Sequence, residues 1–308
     1  MEIIYLDGQQ LNMPASICSA IGFFDGLHLG HMALVDEVKR VSKQMGYKSA
    51  LMTFDHHPLF VLGRITQEKY ISSMEDRIEI LNKEGIDYLF VIRFTKEVAA
   101  LSPDAFIENY LVNLNIRHVV CGFDFRFGSR NSGSGETLIK YNPDILKVSI
   151  IDEVIFENEK ISSTRIRNCL DEGHVEELNS LLNRHYAING HVIGGKKIGR
   201  EMGFPTANID YGSYYLPQNG VYAVKVYLDD KEYLGMCNIG YNPTFHLIDK
   251  RSLEVHIFDF DENIYDKHVS VEFYKKTRNE KKFSNKDELM NQLSSDKTTI
   301  LEYFSKTR

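Results

Sequence analysis

Along the first half of the chain, short apolar runs alternate with longer segments whose apolar positions recur every three or four residues. The runs at 17–21, 20–24, 49–54, 88–94, 118–123 and 148–154 have strand length. Between them, segments 30–45, 74–84 and 103–114 carry a helical period, with Leu34, Val38 and Val41 on one face of the first. Such alternation predicts a parallel sheet covered by helices on both faces, with ligands bound beyond the carboxyl ends of its strands. From Tyr186 the texture changes. Runs 186–192, 220–228, 233–239, 252–258 and 268–273 alternate in polarity and are separated by turn formers such as Asp229-Asp230, which predicts a small antiparallel barrel. The tail 286–304 has Leu289, Leu293, Ile300, Leu301 and Phe304 at loosely helical spacing, with a break expected near Ser294-Ser295. The expected fold class is therefore α/β, a parallel-sheet domain over 1–183 and a barrel with a C-terminal helix over 184–308.

Composition narrows the class. At 308 residues with 43% hydrophobic content, two domains with real cores are expected. A net charge of −7 argues against a nucleic-acid partner, so anionic ligands must be held by local basic groups. The cysteines Cys18, Cys121, Cys169 and Cys237 form no C-x-x-C pair and read as buried thiols of a reducing compartment. No basic-then-apolar leader and no run of membrane-spanning length are present, so the expected location is the cytoplasm, away from membranes.

The chemistry starts at Gly22-Phe23-Phe24-Asp25-Gly26-Leu27-His28-Leu29-Gly30-His31, which lies between an apolar run and an amphipathic segment. Strand, glycine-rich turn and helix entrance together make an anion site: glycines admit a polyphosphate and the helix start offers N–H donors. A structural turn with incidental histidines is the alternative. Ser162-Ser163-Thr164-Arg165-Ile166-Arg167 places hydroxyls and arginines at another predicted helix start, where they either cap the helix or bind phosphate. Gly128 to Gly135 is rich in turn formers and reads equally as a flexible linker or a lid. Gly190 to Lys197 nearly spells a P-loop, but Lys197 stands where Ser or Thr is needed and no helix obviously follows, so it reads as a glycine-rich flap.

The G-x-F-D-G-x-H-x-G-H segment resembles the nucleotide-binding motif of the nucleotidylyltransferases, in the branch that makes FAD. Thr53-Phe54-Asp55-His56-His57-Pro58, Gly122 to Gly128 and Ile161 to Arg167 resemble three further motifs of that branch. Independently, Gly199-Arg200 with Gly203-Phe204-Pro205-Thr206-Ala207-Asn208 resembles the riboflavin kinases, whose later motifs Asn238-Ile239-Gly240, Asn242 to Phe245 and Leu253-Glu254-Val255-His256 match. Together these resemble the bifunctional bacterial riboflavin kinase/FMN adenylyltransferases. The resemblance implies a nucleotidylyltransferase-type, Rossmann-like first domain that joins FMN and ATP into FAD, and a barrel that phosphorylates riboflavin.

It also implies roles. His28 and His31 meet the triphosphate, with Gly22, Phe24, Asp25, Gly26, Gly30, His57, Ser163, Thr164, Arg165 and Arg167 around the nucleotide, and Asp124, Phe125 and Arg126 on the flavin side. In the barrel, Thr206 and Asn208 hold Mg2+, Glu254 is the base, Gly195, Lys196 and Arg200 approach the nucleotide, and Arg278 and Phe283 meet flavin. For Glu254, a paired surface glutamate is the alternative. Two positions depart from the family pattern: His56 replaces a usual proline, leaving either His56 or His57 as the functional imidazole, and Asp266 stands in a usual Tyr-Gly-Lys turn. A monofunctional FMN adenylyltransferase and a flavin-sensing regulator without catalysis are the competing expectations.

Overall fold

The computed structural model describes residues 1–8, 11–194, 203–241 and 251–306. The chain divides into two compact units, Met1–Ser163 and Thr164–Arg308.

The first unit is a six-stranded, wholly parallel sheet. Its strands are β1 (Glu2–Leu6), β2 (Ile17–Ile21), β3 (Lys48–Phe54), β4 (Tyr88–Ile92), β5 (Ile116–Gly122) and β8 (Lys147–Ile151), in the spatial order β1-β4-β3-β2-β5-β8. The central strand β2 is buried at all five positions because both its faces are covered. Successive side chains feed opposite faces. Ile17, Ile21, Ala50, Met52, Phe90 and Ile92 join one core cluster, and Cys18, Ala20, Leu51, Leu89, Val91 and Val120 join the other. Helix α1 (Leu29–Met45) packs Leu34, Val35, Val38 and Val41 onto the second. Helices α3 (Met74–Lys83) and α5 (Pro103–Ile107) serve the two faces, α5 running into a π-helical turn, Glu108–Val112. From β2 the strand order runs outward through β3 and β4, then restarts on the other side at β5. That reversal opens a crevice at the carboxyl ends of β2 and β5.

Several boundaries differ from expectation. Of the overlapping runs 17–21 and 20–24, the first is the strand, Ile17–Ile21, because Gly22 begins the turn. The edge strand β1 was not predicted: Glu2, Ile3 and Tyr5 are exposed, and only Ile4 and Leu6 face the core, too short a pattern to mark it. The segment 128–135 includes a short hairpin strand, with β6 (Arg126–Phe127) paired to β7 (Gly133–Ser134) and Phe127 buried. The reason is local packing: a Cβ on Gly133 would come within 2.7 Å of the Phe127 ring.

The second unit begins with α7 (Ser163–Glu172), which straddles the division, and α8 (Val175–Leu182). They precede a closed antiparallel barrel of β11 (Tyr186–Ile193), β12 (Ala207–Asp210), β13 (Gly220–Leu228), β14 (Lys231–Tyr241), β15 (Arg251–Ile257) and β16 (His268–Arg278). Its order is β11-β12-β15-β14-β13-β16, closed by β11 on β16. The tail is one unbroken helix, Lys286–Lys306, numbered α9. Ser294 and Thr298 do not interrupt it, since their hydroxyls bond the carbonyls of Met290 and Ser294 four residues back. Ile300 and Phe304 seat the helix against Val221, Ala223 and Met236.

Candidate active sites

The turn after β2 is built on buried polar groups. Phe24 and Leu27 take left-handed backbone angles, φ +54° and +40°, which non-glycine residues adopt only when their surroundings hold them there. Both side chains are buried. Asp25, 1% exposed, accepts the N–H groups of Ile71 at 2.8 Å and Ser72 at 3.2 Å, and the Gly26 N–H donates to the Ser72 hydroxyl at 2.9 Å. Glycine is required at 26, where φ is +87° and a Cβ would stand 2.8 Å from Ile71. Arg77, also buried, donates to the carbonyls of Phe23 at 3.0 Å and Ser73 at 3.2 Å, and its guanidinium lies over the Phe23 and Tyr70 rings. Burial pulls the Arg77 pKa down, and the nearby Asp25 carboxylate opposes that pull.

This turn delivers two imidazoles to the start of α1. His28 is the N-cap, and its Nδ1 accepts the His31 N–H at 3.3 Å. A backbone N–H only donates, so neutral His28 carries its proton on Nε2. The His31 ring stacks on His28 with centroids 3.7 Å apart and meets Phe24 edge-on. Both rings line a cleft of about 260 Å³ together with Gly22, Gly30, Gly122 to Phe125, Ile151 to Val154 and Lys160 to Ser163. Three of the motifs, far apart in sequence, thus meet with the segment after β8 at the carboxyl ends of β2, β5 and β8, and none of residues 53–58 lines this cleft. The Ser163 hydroxyl reaches the Asp25 carbonyl at 3.4 Å, and Lys160 pairs with Asp124 at 2.6 Å while lying over the Phe123 ring. Phe125 stacks on Phe127, and the exposed Arg126 donates to the Phe125 carbonyl. Thr164, Arg165 and Arg167 follow on α7 in the second unit, where Arg165 donates twice to Glu177, at 3.0 and 2.7 Å.

The adjacent histidines have different surroundings. His57 stands edge-on to Phe23 at 4.7 Å and caps the short helix α2 (Pro58–Val61), its Nδ1 accepting the Leu59 N–H at 3.1 Å. His56 turns to solvent and pairs with Glu68 at 2.9 Å.

In the barrel, a cleft of about 300 Å³ is lined by Phe204, Thr206, Asn238, Glu254, His256, Arg278, Glu280, Lys281 and Phe283, among others. Strand register explains the grouping. Glu254 on β15 pairs with Asn208 on one side and Asn238 on the other, so these three side chains share a face. His256, two residues on, lies on the same face, and its Nδ1–H donates to the Pro205 carbonyl at 2.7 Å. Burial lowers the His256 pKa, so its ring is held neutral. Arg278 makes a forked pair with the buried Asp296 at 2.8–3.0 Å and lies over the Phe283 ring. A second cleft of about 410 Å³, lined by Val192, Pro205, Ala207, Val255 and the stretch from Phe260 to Tyr265, lies on the other side of the same strands and shares Thr206 with the first.

Known families match the two parts of the chain separately. A family model described as FAD synthetase matches residues 11–165, and one described as riboflavin kinase matches 182–304. The chain is 43% identical to a bifunctional riboflavin kinase/FMN adenylyltransferase of Listeria monocytogenes, covering 93% of this chain and 92% of the relative. The chain belongs to the bifunctional riboflavin kinase/FMN adenylyltransferase family. The protein of the same description from Bacillus subtilis is 41% identical over 94% of this chain and 93% of its own length. A crystal structure described as a macrolide-efflux protein from Streptococcus pneumoniae superposes with a TM-score of 0.89 at 31% identity, over 97% of this chain and 99% of that one. Efflux is that protein's description alone, and among the described residues no helix here is long and apolar enough to cross a membrane.

Within this family frame, the structure gathers His28, His31, Gly22, Phe24, Gly30, Asp124, Phe125 and Ser163 at one cleft, and Thr206, Glu254, Arg278 and Phe283 at the other. Gly195, Lys196, Lys197, Gly199 and Arg200, like Asn242 to Phe245, lie outside the described residues. Asp25 and Gly26 act inside the turn, as the hydrogen bonds above show. Asn238 and His256, matched above only as motif positions with no role, line the barrel cleft together with Glu280 and Lys281. His256 was accessible to sequence reasoning, since it falls two residues after Glu254 in an alternating strand. The departure at Asp266 has a local explanation. Its φ is +64°, a left-handed position that suits glycine and that aspartate tolerates, and its N–H still bonds the Val192 carbonyl at 2.9 Å.

Proposed function

We propose that the barrel phosphorylates riboflavin to FMN and that the parallel-sheet domain transfers AMP from ATP to that FMN, giving FAD and pyrophosphate. The protein is a bifunctional transferase. The observation that supports this reading is that residues from the motifs of each family share a cleft: two stacked histidines at a helix start in one, and Glu254 with Thr206 and Asn238 in the other.

In the first cleft, His28 and His31 donate to phosphoryl oxygens of ATP at the positive end of α1, and Ser163 faces them across the opening. A phosphate oxygen of FMN attacks the α-phosphorus in line with departing pyrophosphate, and the rigid turn holds the donors where charge develops. His57 is the third imidazole. Asp124, Phe125 and Arg126 take the flavin side, where an aromatic ring stacks on the isoalloxazine. In the barrel, Glu254 takes the proton of the ribityl 5′-hydroxyl as that oxygen attacks the γ-phosphorus, and ADP leaves. The cleft of Arg278 and Phe283 receives riboflavin, and the neighbouring cleft beyond Thr206 receives ATP. Thr206 and Asn208 suit Mg2+, because both offer uncharged oxygens on the face that carries Glu254; the bound ion neutralises phosphate charge. We place the functional boundary at 183/184 and the enzyme in the cytoplasm, where ATP and free thiols coexist.

Two substitutions test the assignment. His28→Ala abolishes FAD formation from FMN and leaves FMN formation from riboflavin intact. Glu254→Ala does the reverse. Loss of both activities in either folded variant contradicts two independent sites.

A further inference from the structure

One carboxylate closes the loop that carries the paired histidines. Glu68, its side chain 12% exposed, accepts the His57 N–H at 2.7 Å, pairs with His56 Nδ1 at 2.9 Å, and accepts the Tyr70 hydroxyl. Burial alone would raise its pKa. The hydrogen bonds from Tyr70, His57 and His56 instead hold it below the ordinary carboxylate range, so it is ionised at neutral pH.

Apart from Asp55, whose carboxylate accepts the N–H groups of His56 at 2.7 Å and Phe94 at 2.8 Å, the enclosed segment has few side-chain ties. Helix α2 buries none of its side chains, and Leu59, Phe60 and Leu62 are exposed. A loop with so few apolar contacts is ordered mainly by its tethers. His56 stands where the family pattern has proline, which would stiffen the backbone through its own ring. An imidazole stiffens it only through a partner, and Glu68 is that partner.

We propose that Glu68 is a positioning residue for adenylyl transfer, holding His57 through its backbone N–H, with His56 as the pin that stands in for proline. This rests on the adenylyltransferase reading above. The same carboxylate that pins the loop also binds Tyr70, whose ring lies beside Phe23. Phe23 in turn touches His57, so the tether and the imidazole belong to one packed group.

The test uses the full-length protein, measuring FAD formation from FMN and FMN formation from riboflavin in each sample. Glu68→Ala lowers kcat for FAD about tenfold, with KM for ATP within about threefold and FMN formation within about twofold. Glu68→Gln keeps an oxygen for the His57 N–H and loses about threefold or less. His56→Ala loses about threefold, and His56→Pro returns to within about twofold of the parent. The proposal is overturned if Glu68→Ala keeps the parental kcat, or if its loss follows a falling melting temperature while His56→Pro does no better than His56→Ala. Should the parent make no FAD, the adenylyltransferase reading fails on its own. The His57 amide proton resonance then decides the tether: an upfield shift in Glu68→Gln and Glu68→Ala supports it, and an unmoved resonance overturns it.

Discussion

At the scale of single residues, both sites depend on groups whose polar atoms are used inside the fold. Asp25 sits inside the motif, yet its partners Ile71 and Ser72 lie 46 and 47 residues away. That pairing is tertiary, so the motif revealed the importance of Asp25 but not its use. His28 and His31 were legible because a helix start after a glycine-rich turn restricts what their rings can do. Asp266 gives a prediction at this scale. Its left-handed φ already suits glycine, so Asp266→Gly changes unfolding free energy by less than about 1 kcal/mol, the relief of backbone strain being offset by a freer unfolded chain. Chemical denaturation measures it. A loss well beyond that value means the aspartate side chain holds the turn.

At the scale of elements, β2, β3 and β4 were legible because burial on both faces makes them continuously apolar. The barrel strands β11 and β16 were legible because buried and wetter positions alternate along them, whereas β13 is a long, mostly buried run. β12 was hidden: its four residues, Ala207–Asp210, fall within and just after the P-T-A-N motif and are too few to show a period. The break expected in the tail fails because two hydroxyls bond back into the helix. Two elements carry predictions. Gly190 on β11 has no room for a side chain, since a Cβ would lie 2.2 Å from the Asp210 carbonyl oxygen and 2.8 Å from Ile209. Gly190→Ala therefore forces β11 from β12, lowers the barrel's melting temperature and removes FMN formation while FAD formation from FMN persists. Asp296, 4% exposed, ties α9 to Arg278 at the end of β16. Asp296→Ala strands that cation and costs about 3 kcal/mol, the low end for a buried pair because Arg278 keeps some contact with water. A denaturation midpoint unchanged in Asp296→Ala contradicts this.

At the scale of the whole molecule, burial acts on histidines in both units. His118, His185 and His256 all have pKa values lowered from 6.5 by desolvation. The folded state resists protonation where the unfolded chain accepts it, so their contribution is intact above pH 6.5 and is lost as pH falls through it. The melting temperature is expected to fall between pH 7 and pH 5.5, above the range in which carboxylates titrate. A flat profile there contradicts the account. The four cysteines are buried with raised thiol pKa values, so none is poised as a nucleophile. We propose that the chemistry falls to the two clefts and that one chain runs both reactions in sequence. The most direct measurement is chromatographic analysis of flavins after incubating the purified protein with riboflavin, ATP and magnesium. FMN is expected to appear first and FAD to follow, with FMN accumulating in His28→Ala and riboflavin persisting in Glu254→Ala. Failure to form FMN from riboflavin, in protein that still converts supplied FMN to FAD, would contradict it.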